Sequence, residues 1–266
     1  MISAVGKHNL LFVGPPGCGK SMLAQRFPRL LDPLTEEERL QTAAVYSISG
    51  LACDRVLSGE RPYRHPHHTI TDAGLIGGGS IPRPGEISLA HNGVLFMDEF
   101  PEFRRSVLET LRAPLENRKL TVSRAKYSQE FPADFQLIAA MNPCPCGKLG
   151  TNLGVCSCGS QLVARYLQKL SAPILDRIDL QVSLQAVDVQ SMQIEINQEG
   201  RARDREIVGM VKAARSRYRN RGNVPNALLD NQKLLKIAAM KPEAERFLDH
   251  YAGKRNLSAR AYFRVL

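Results

Sequence analysis

Apolar residues along this chain gather in short dense runs bounded by turn residues. Leu10, Leu11, Phe12 and Val13 form the first, Val94, Leu95, Phe96 and Met97 the second, and residues 135–141 the third. Runs this short, with little polar interruption, predict strands buried on both faces, as in a parallel sheet. Leu180, Val182 and Leu184 alternate with their neighbours and predict a further strand. Elsewhere the period lengthens. Residues 21–31 place Leu23, Phe27, Leu30 and Leu31 on one helical face, with Pro28 ending or kinking the helix. Thr35 predicts an N-cap, with Glu38 as its capping-box partner, for a helix reaching about Val45 or Ile48. Residues 103–117 set Val107, Leu108, Leu111 and Leu115 on one face, with a late kink at Pro114, and residues 161–170 predict another helix.

Residues 1–9 read as a short polar lead-in. Residues 77–88, rich in glycine and proline, read as a mobile loop or short hairpin carrying Arg83. Residues 120–131 read as a hairpin with Arg124 and Lys126 near its tip. From about residue 188 only helical patterns remain, rich in Arg and Lys. Strands alternating with helices predict an α/β fold over residues 1–187. A smaller helical unit follows over 188–266.

The loop after the first strand carries the chemistry. Gly14, Pro15, Pro16, Gly17, Cys18, Gly19, Lys20 and Ser21 fit G-x-x-x-x-G-K-[ST] between a strand and a helix. Glycines let backbone N–H groups curl around a phosphate, and the helix N-terminus behind them favours the same anion. Lys20 is placed to reach the β/γ-phosphates, and the Ser21 hydroxyl to ligate Mg²⁺. The second apolar run ends in Asp98 and Glu99. In an open α/β sheet ligands bind at that edge, so Asp98 is placed to hold Mg²⁺ through water and Glu99 to activate an attacking water. The third run ends at Asn142, which reads equally as a contact to phosphate or water and as a turn residue before Pro143. Arg177, between Asp176 and Asp179, reads as ion-paired or as reaching a neighbouring subunit's nucleotide.

Composition narrows the partners. The chain of 266 residues has 36 basic and 26 acidic residues, a formal charge of +10, which favours an anionic partner, nucleic acid first. No apolar run approaches the ~20 residues of a membrane span, and the first residues show no secretory h-region, so the cytoplasm is the expected compartment. Four of six cysteines, Cys144, Cys146, Cys156 and Cys158, crowd together. Two C-x-C pairs can offer four thiolates to Zn²⁺, although C-x-C is tighter than the usual knuckle; unliganded thiols and a redox role stay open. His65, His67 and His68 stand too close in sequence for a tetrahedral set and read as a surface loop or interface.

Taken in order, the glycine-rich loop, Arg64-x-Pro66-His67-His68-Thr69, residues 74–79, the run Pro84 to Glu99, and Met141-Asn142-Pro143-Cys144-Pro145-Cys146-Gly147 resemble the YifB/ComM family of magnesium-chelatase-like AAA+ ATPases. The resemblance covers essentially the whole chain. It implies a P-loop AAA+ core with a C-terminal helical lid, and ATP with Mg²⁺ as cofactors. Residues 14–21 match Walker A, Asp98 and Glu99 match Walker B, and Asn142 matches sensor 1. Arg177 matches an arginine finger offered in trans, and Arg260, in Leu257-Ser258-Ala259-Arg260-Ala261, matches sensor 2. Hairpins around Gly79 to Ile87 and over residues 121–131 would point into the pore of a homo-hexameric ring and grip DNA through Arg83, Arg124 and Lys126. ComM-type relatives are similar to helicases that drive branch migration; a magnesium-chelatase-like or chaperone motor acting on a protein is the alternative. A non-catalytic zinc-bearing interaction module is a third reading, disfavoured by the intact Asp98-Glu99 pair. Family members carry an N-terminal domain and an adenine-binding segment ahead of the first strand, so the chain reads as an excised ATPase module ending within the lid.

Overall fold

The computed structural model describes residues 1–123, 127–186, 198–219, 222 and 224–265. Its centre is a sheet of five parallel strands: β1 (Leu10–Val13), β2 (Tyr63–Arg64), β5 (Val94–Met97), β8 (Gln136–Met141) and β9 (Leu180–Ser183), in the order β2-β5-β8-β1-β9. β8 pairs with β1 from Leu10↔Ile138 to Val13↔Met141 and with β5 from Val94↔Gln136 to Met97↔Ala139. The central runs are apolar throughout because helices cover both faces. Successive residues point to opposite faces. Leu11, Leu95, Met97, Leu137, Ala139 and Met141 share one core with Phe100, Val107, Leu108, Leu111 and Ile174. Leu10, Phe12, Val94, Phe96, Ile138 and Ala140 share the other with Ala4, Ala24 and Phe27.

The helices of the core are α1 (Ile2–Gly6), α2 (Lys20–Arg26), α3 (Glu36–Ile48), α4 (Asp54–Leu57), α5 (Asp72–Ile76), α6 (Glu86–Leu89), α7 (Arg105–Thr110), α8 (Arg112–Asn117), α9 (Ser160–Leu167) and α10 (Ala172–Leu175). The Thr35 capping box is present: Glu38 N–H donates to Thr35 Oγ1 at 3.2 Å, and Thr35 N–H donates to Glu38 Oε2 at 2.9 Å. Two hairpins leave the core. β3 (Gly77–Gly78) and β4 (Arg83–Pro84) separate α5 from α6, with Arg83 exposed. β6 (Lys119–Ser123) pairs with β7 (Ser128–Pro132). Arg124 and Lys126 lie outside the described residues.

Three expectations change. Residues 2–6 are a helix, and its buried Ser3 and Ala4 tie it to the sheet. Buried Gln136 donates to Ser3 O at 2.8 Å and His8 O at 2.6 Å, so its amide replaces the solvent it loses. Leu23 is 40% exposed, because α2 is short and gives way to a 3₁₀ turn at Phe27–Leu30, where Pro28 sits. The helix expected over residues 103–117 is two helices meeting at Leu111. Pro114 lacks the N–H that would bond the Thr110 carbonyl, and its ring crowds that position.

C-terminal to the sheet come α11 (Gln198–Arg219), α12 (Asn231–Ala238), α13 (Pro242–Arg255) and α14 (Ala259–Val265). Arg215 fastens α11 to the core. It is 4% exposed, donates to Ala4 O at 2.8 Å and pairs with Asp32 at 3.0 Å. No helix among the described residues is long and apolar enough to cross a membrane.

Candidate functional site

Parallel strands in register bring their C-terminal ends to one edge of the sheet, and three polar segments meet there. The loop 14–19 follows β1. Gly17 (φ 76°) and Gly19 (φ 85°) take left-handed backbone that other residues adopt at a cost. At Gly14 the constraint is space: a Cβ would stand 2.8 Å from the Leu184 carbonyl oxygen. Lys20 opens α2 and is buried. Its ammonium donates to the carbonyl oxygens of Gly14 and Pro15, both at 2.8 Å, and to Asn142 Oδ1 at 3.1 Å. Asn142 directly follows β8, so the amide sits beside the loop because β8 pairs with β1.

Asp98 and Glu99 directly follow β5. The Ser21 hydroxyl donates to Asp98 Oδ2 at 2.5 Å, and the Glu99 N–H donates to Asp98 Oδ1 at 2.9 Å. Glu99 has φ 50°, unusual for a residue other than glycine. Glu99 Oε2 lies 3.0 Å from His68 Nδ1. Lys20, Asp98, Glu99, Asn142, Pro145 and Tyr166 line a cavity of about 250 Å³. Burial, with the charge of Glu102 adding to it, pushes the Tyr166 phenol up to about 12. Burial and the Asp98 charge likewise push Tyr63 up. Both phenols stay neutral at ordinary pH.

The opposite edge of the sheet gathers arginines. Arg177 donates to Pro173 O at 2.8 Å and to Glu116 Oε2 at 2.7 Å. Arg260, on α14, reaches the other oxygen of Glu116 at 3.9 Å. The Nε atoms of both arginines are buried without a hydrogen-bond partner. Arg177 donates to Glu116 and, with its charge, holds that carboxyl below its usual range; Arg260 adds to this. Beside them Asp179, just before β9, pairs with Arg264 at 3.0 Å and with His8, just before β1, at 3.2 Å. Glu116, Arg177, Arg260, Arg264 and Phe263 share a cleft of about 620 Å³.

The expected site residues therefore fall into two groups. Lys20, Ser21, Asp98, Glu99 and Asn142 converge at one edge. Arg177 and Arg260 stand together at the other, at the N-terminal ends of the strands, with β1 between them and Lys20 spanning roughly 13 Å at ~3.3 Å per residue. Two residues that pattern reading passed over join the groups. His68 belongs to a stretch marked as a histidine-rich loop, with no signal that it meets Glu99. Glu116 carries no sequence signal for its contact with both arginines.

The donor set fits a magnesium-bound nucleotide. Hard cations take oxygen ligands, and Ser21 and Asp98 put a hydroxyl and a carboxylate in contact. The two left-handed glycines and the Lys20 ammonium suit polyphosphate. The cysteines lie just past Asn142. Sγ atoms of Cys144, Cys146, Cys156 and Cys158 all lie within 4.8 Å of one another. Among the described residues this is the one group of His, Cys, Asp or Glu so gathered that it could hold a metal ion; His65, His67 and His68 do not form one.

Comparison with known proteins follows the same lines. Residues 1–192 match the family described as magnesium chelatase, subunit ChlI, and residues 202–266 match its C-terminal family, magnesium chelatase, subunit ChlI C-terminal. The competence protein ComM of Haemophilus influenzae is 43% identical over 267 aligned residues, covering 100% of this chain and 51% of that protein. The YifB protein of Escherichia coli is 42% identical over 267, covering 100% and 52%. Lon protease 2 of Bacillus subtilis is 29% identical over 164, covering 52% of this chain and 29% of that protein. The chain spans about half the length of ComM and YifB.

Proposed function

The chain belongs to the ComM/YifB branch of the magnesium-chelatase-like AAA+ ATPases, and from that premise we propose that it is the motor module of a DNA-translocating, branch-migrating ATPase working as a homo-hexameric ring. The observation that carries the ATPase half is the meeting of Lys20, Ser21, Asp98, Glu99 and Asn142 at the C-terminal edge of one sheet. In this reading residues 1–187 are the nucleotide-binding core and 188–266 the lid.

Each residue has a task that its position supports. The loop 14–19 and Lys20 hold the phosphates, with Lys20 exchanging its carbonyl partners for phosphate oxygens. Ser21 and Asp98 hold Mg²⁺, which when bound draws charge from the β- and γ-phosphate oxygens. Asn142 orients the γ-phosphate or the attacking water. Glu99 takes the proton of that water, and His68 positions the Glu99 carboxylate. Arg177 neutralises charge developing on the phosphoryl group of a neighbouring subunit. Its place at the far edge of the sheet favours action in trans, because it cannot share a pocket with Lys20 of its own chain. Arg260 stands with Arg177, which favours the same neighbour-facing role over action on its own chain's pocket. The four cysteines are read as a zinc site.

The DNA half rests on the +10 charge, on exposed Arg83 at the β3–β4 hairpin and on similarity to a competence protein. The second reading, a motor acting on a protein, draws on the magnesium chelatase family and the Lon relative. ATP hydrolysis measured with and without forked DNA, at two salt concentrations, separates them, with Lys20→Ala as the inactive control. DNA stimulation that fades with salt is the expected result, since phosphate contacts release counterions. Hydrolysis indifferent to DNA would move the assignment to a protein substrate.

A further inference from the structure

The segment between β8 and α9 is long for a connection inside a compact core, and it has almost no core of its own. From residue 143 to 159 the backbone forms no helix or strand, and Cys144 and Gly147 are its only buried residues. Val155 is 91% exposed, with Leu149 and Leu153 also in solvent. Hydrophobic burial therefore does not hold this segment. Asn152 ties it to Ala186 through two hydrogen bonds, of 3.3 and 3.5 Å. The remaining convergence is that of four sulfurs.

Their geometry is that of a ligand set. Cys144 Sγ lies 3.4 Å from Cys146 Sγ and 3.6 Å from Cys156 Sγ, and Cys146 and Cys156 are 3.6 Å apart. A disulfide would need about 2.05 Å. Four thiolates around one zinc at about 2.3 Å stand about 3.8 Å apart at the edges of a tetrahedron. Thiols are weak hydrogen-bond donors, and three of the four here are only partly buried, so burial alone gives little reason to gather them. Backbone N–H groups also point at the sulfurs: Leu149 N–H donates to Cys144 Sγ and Cys158 N–H to Cys156 Sγ, both at 3.4 Å. Such donors stabilise negative charge on sulfur, which a coordinated thiolate carries.

The segment also touches the nucleotide pocket. Gly147 lies so close to Pro16 that a Cβ on it would stand 2.5 Å from the proline Cδ. Pro145 lines the cavity with Lys20 and Glu99, and Asn142 is two residues before Cys144. We propose that Cys144, Cys146, Cys156 and Cys158 bind one structural Zn²⁺, and that this metal clamps residues 143–159 against the phosphate loop, holding Pro16 and Asn142 in place for nucleotide. The clamp deepens the zinc and nucleotide-site readings above and rests on them; the metal site stands on the sulfur geometry alone.

The test begins with metal content of the chain purified under reducing, metal-buffered conditions. One zinc per chain is expected, falling away in Cys146→Ser and unchanged in Cys53→Ser, whose thiol lies outside the cluster. Exchange of Co²⁺ into the unsubstituted chain should give the visible bands and strong sulfur-to-metal absorption of tetrahedral tetrathiolate cobalt, a readout that needs no variant to fold. Absence of metal, iron in its place, or a cobalt spectrum without thiolate bands would overturn the site. Nucleotide affinity then tests the clamp: zinc removal should weaken ATP binding severalfold, with recovery on adding zinc back. Unchanged affinity in metal-free chain would overturn the clamp while leaving the metal site standing. Zinc-loaded chain that binds no nucleotide would instead count against the ATPase reading.

Discussion

At one edge of the five-stranded sheet a buried lysine and a serine are matched to oxygens of their own chain; at the other, two arginines crowd onto one half-exposed carboxylate. Lys20 is buried and bonded to two carbonyls and an amide, and Ser21 is bonded to Asp98. Across the sheet, Arg177 and Arg260 converge on Glu116, whose side chain is 54% exposed, with an Nε of each arginine left unpartnered. On the proposed reading the first edge holds the nucleotide and supplies the base, while the Lys20 ammonium is taken up by two carbonyls and an amide. The second gathers two arginines on the half-exposed Glu116 and has no phosphate loop. Each edge supplies what the other lacks, and the strands between them keep the two apart in one chain. On the proposed reading a complete site would take two copies of the chain, joined edge to opposite edge, a head-to-tail contact of the kind that closes into rings.

Breaking the far edge should have the largest effect. Arg177→Ala is expected to lower ATP turnover by about 10³–10⁵-fold, with nucleotide affinity nearly unchanged, as read by steady-state hydrolysis beside equilibrium binding. Equal loss of binding would place Arg177 in its own chain's pocket. Breaking the near edge at its base comes next. Glu99→Gln keeps shape and removes basicity, so turnover should fall about 10²–10⁴-fold while ATP still binds. His68 sharpens the picture of that edge. If the 3.0 Å contact positions the Glu99 carboxylate, His68→Ala should lower turnover by up to about 10²-fold, leave affinity alone, and change the pH dependence of the rate. An unchanged pH profile would reduce the contact to packing.

How much of this was readable beforehand follows from how local each cause is. The strands β1, β5 and β8 announced themselves because burial on both faces demands unbroken apolar runs. The glycine-rich loop did so because phosphate binding needs glycines at fixed spacing. The capping box at Thr35 is complete within four residues and formed as expected. Causes at long range left no local mark. Glu116 meets Arg177 and Arg260 from positions 61 and 144 residues away along the numbering of the chain. His68 meets Glu99 only because β2 lies beside β5. Helix α1 was missed because five residues are too short for periodicity, and its stability comes from contacts with Gln136 and Arg215. Leu23 looked like core by spacing, but the helix ends at Arg26 before its face can be used.

The smallest effect concerns the scaffold that both edges share. His91 is buried, its Nδ1 accepting the Asp134 N–H at 3.1 Å just before β8. Burial pushes the imidazole below its usual value. The folded chain therefore favours the neutral ring, while the unfolded chain takes up a proton near pH 6.5. Stability from this group is full above that pH and is lost as the pH falls toward the lower native value. Thermal melts should show a midpoint falling by a few degrees as the pH drops below about 6.5, and His91→Gln should flatten that slope. A slope unchanged in the variant would assign it to other groups.

The complementation of two dead chains tests the divided site most directly. Glu99→Gln and Arg177→Ala chains are each expected to be inactive under conditions where the wild type hydrolyses ATP. Mixed, they should regain a fraction of wild-type turnover, because some interfaces pair the intact Glu99 of one chain with the intact Arg177 of the other. A mixture that co-assembles and stays inactive would contradict the account, and so would an Arg177→Ala chain that turns over ATP at the wild-type rate by itself.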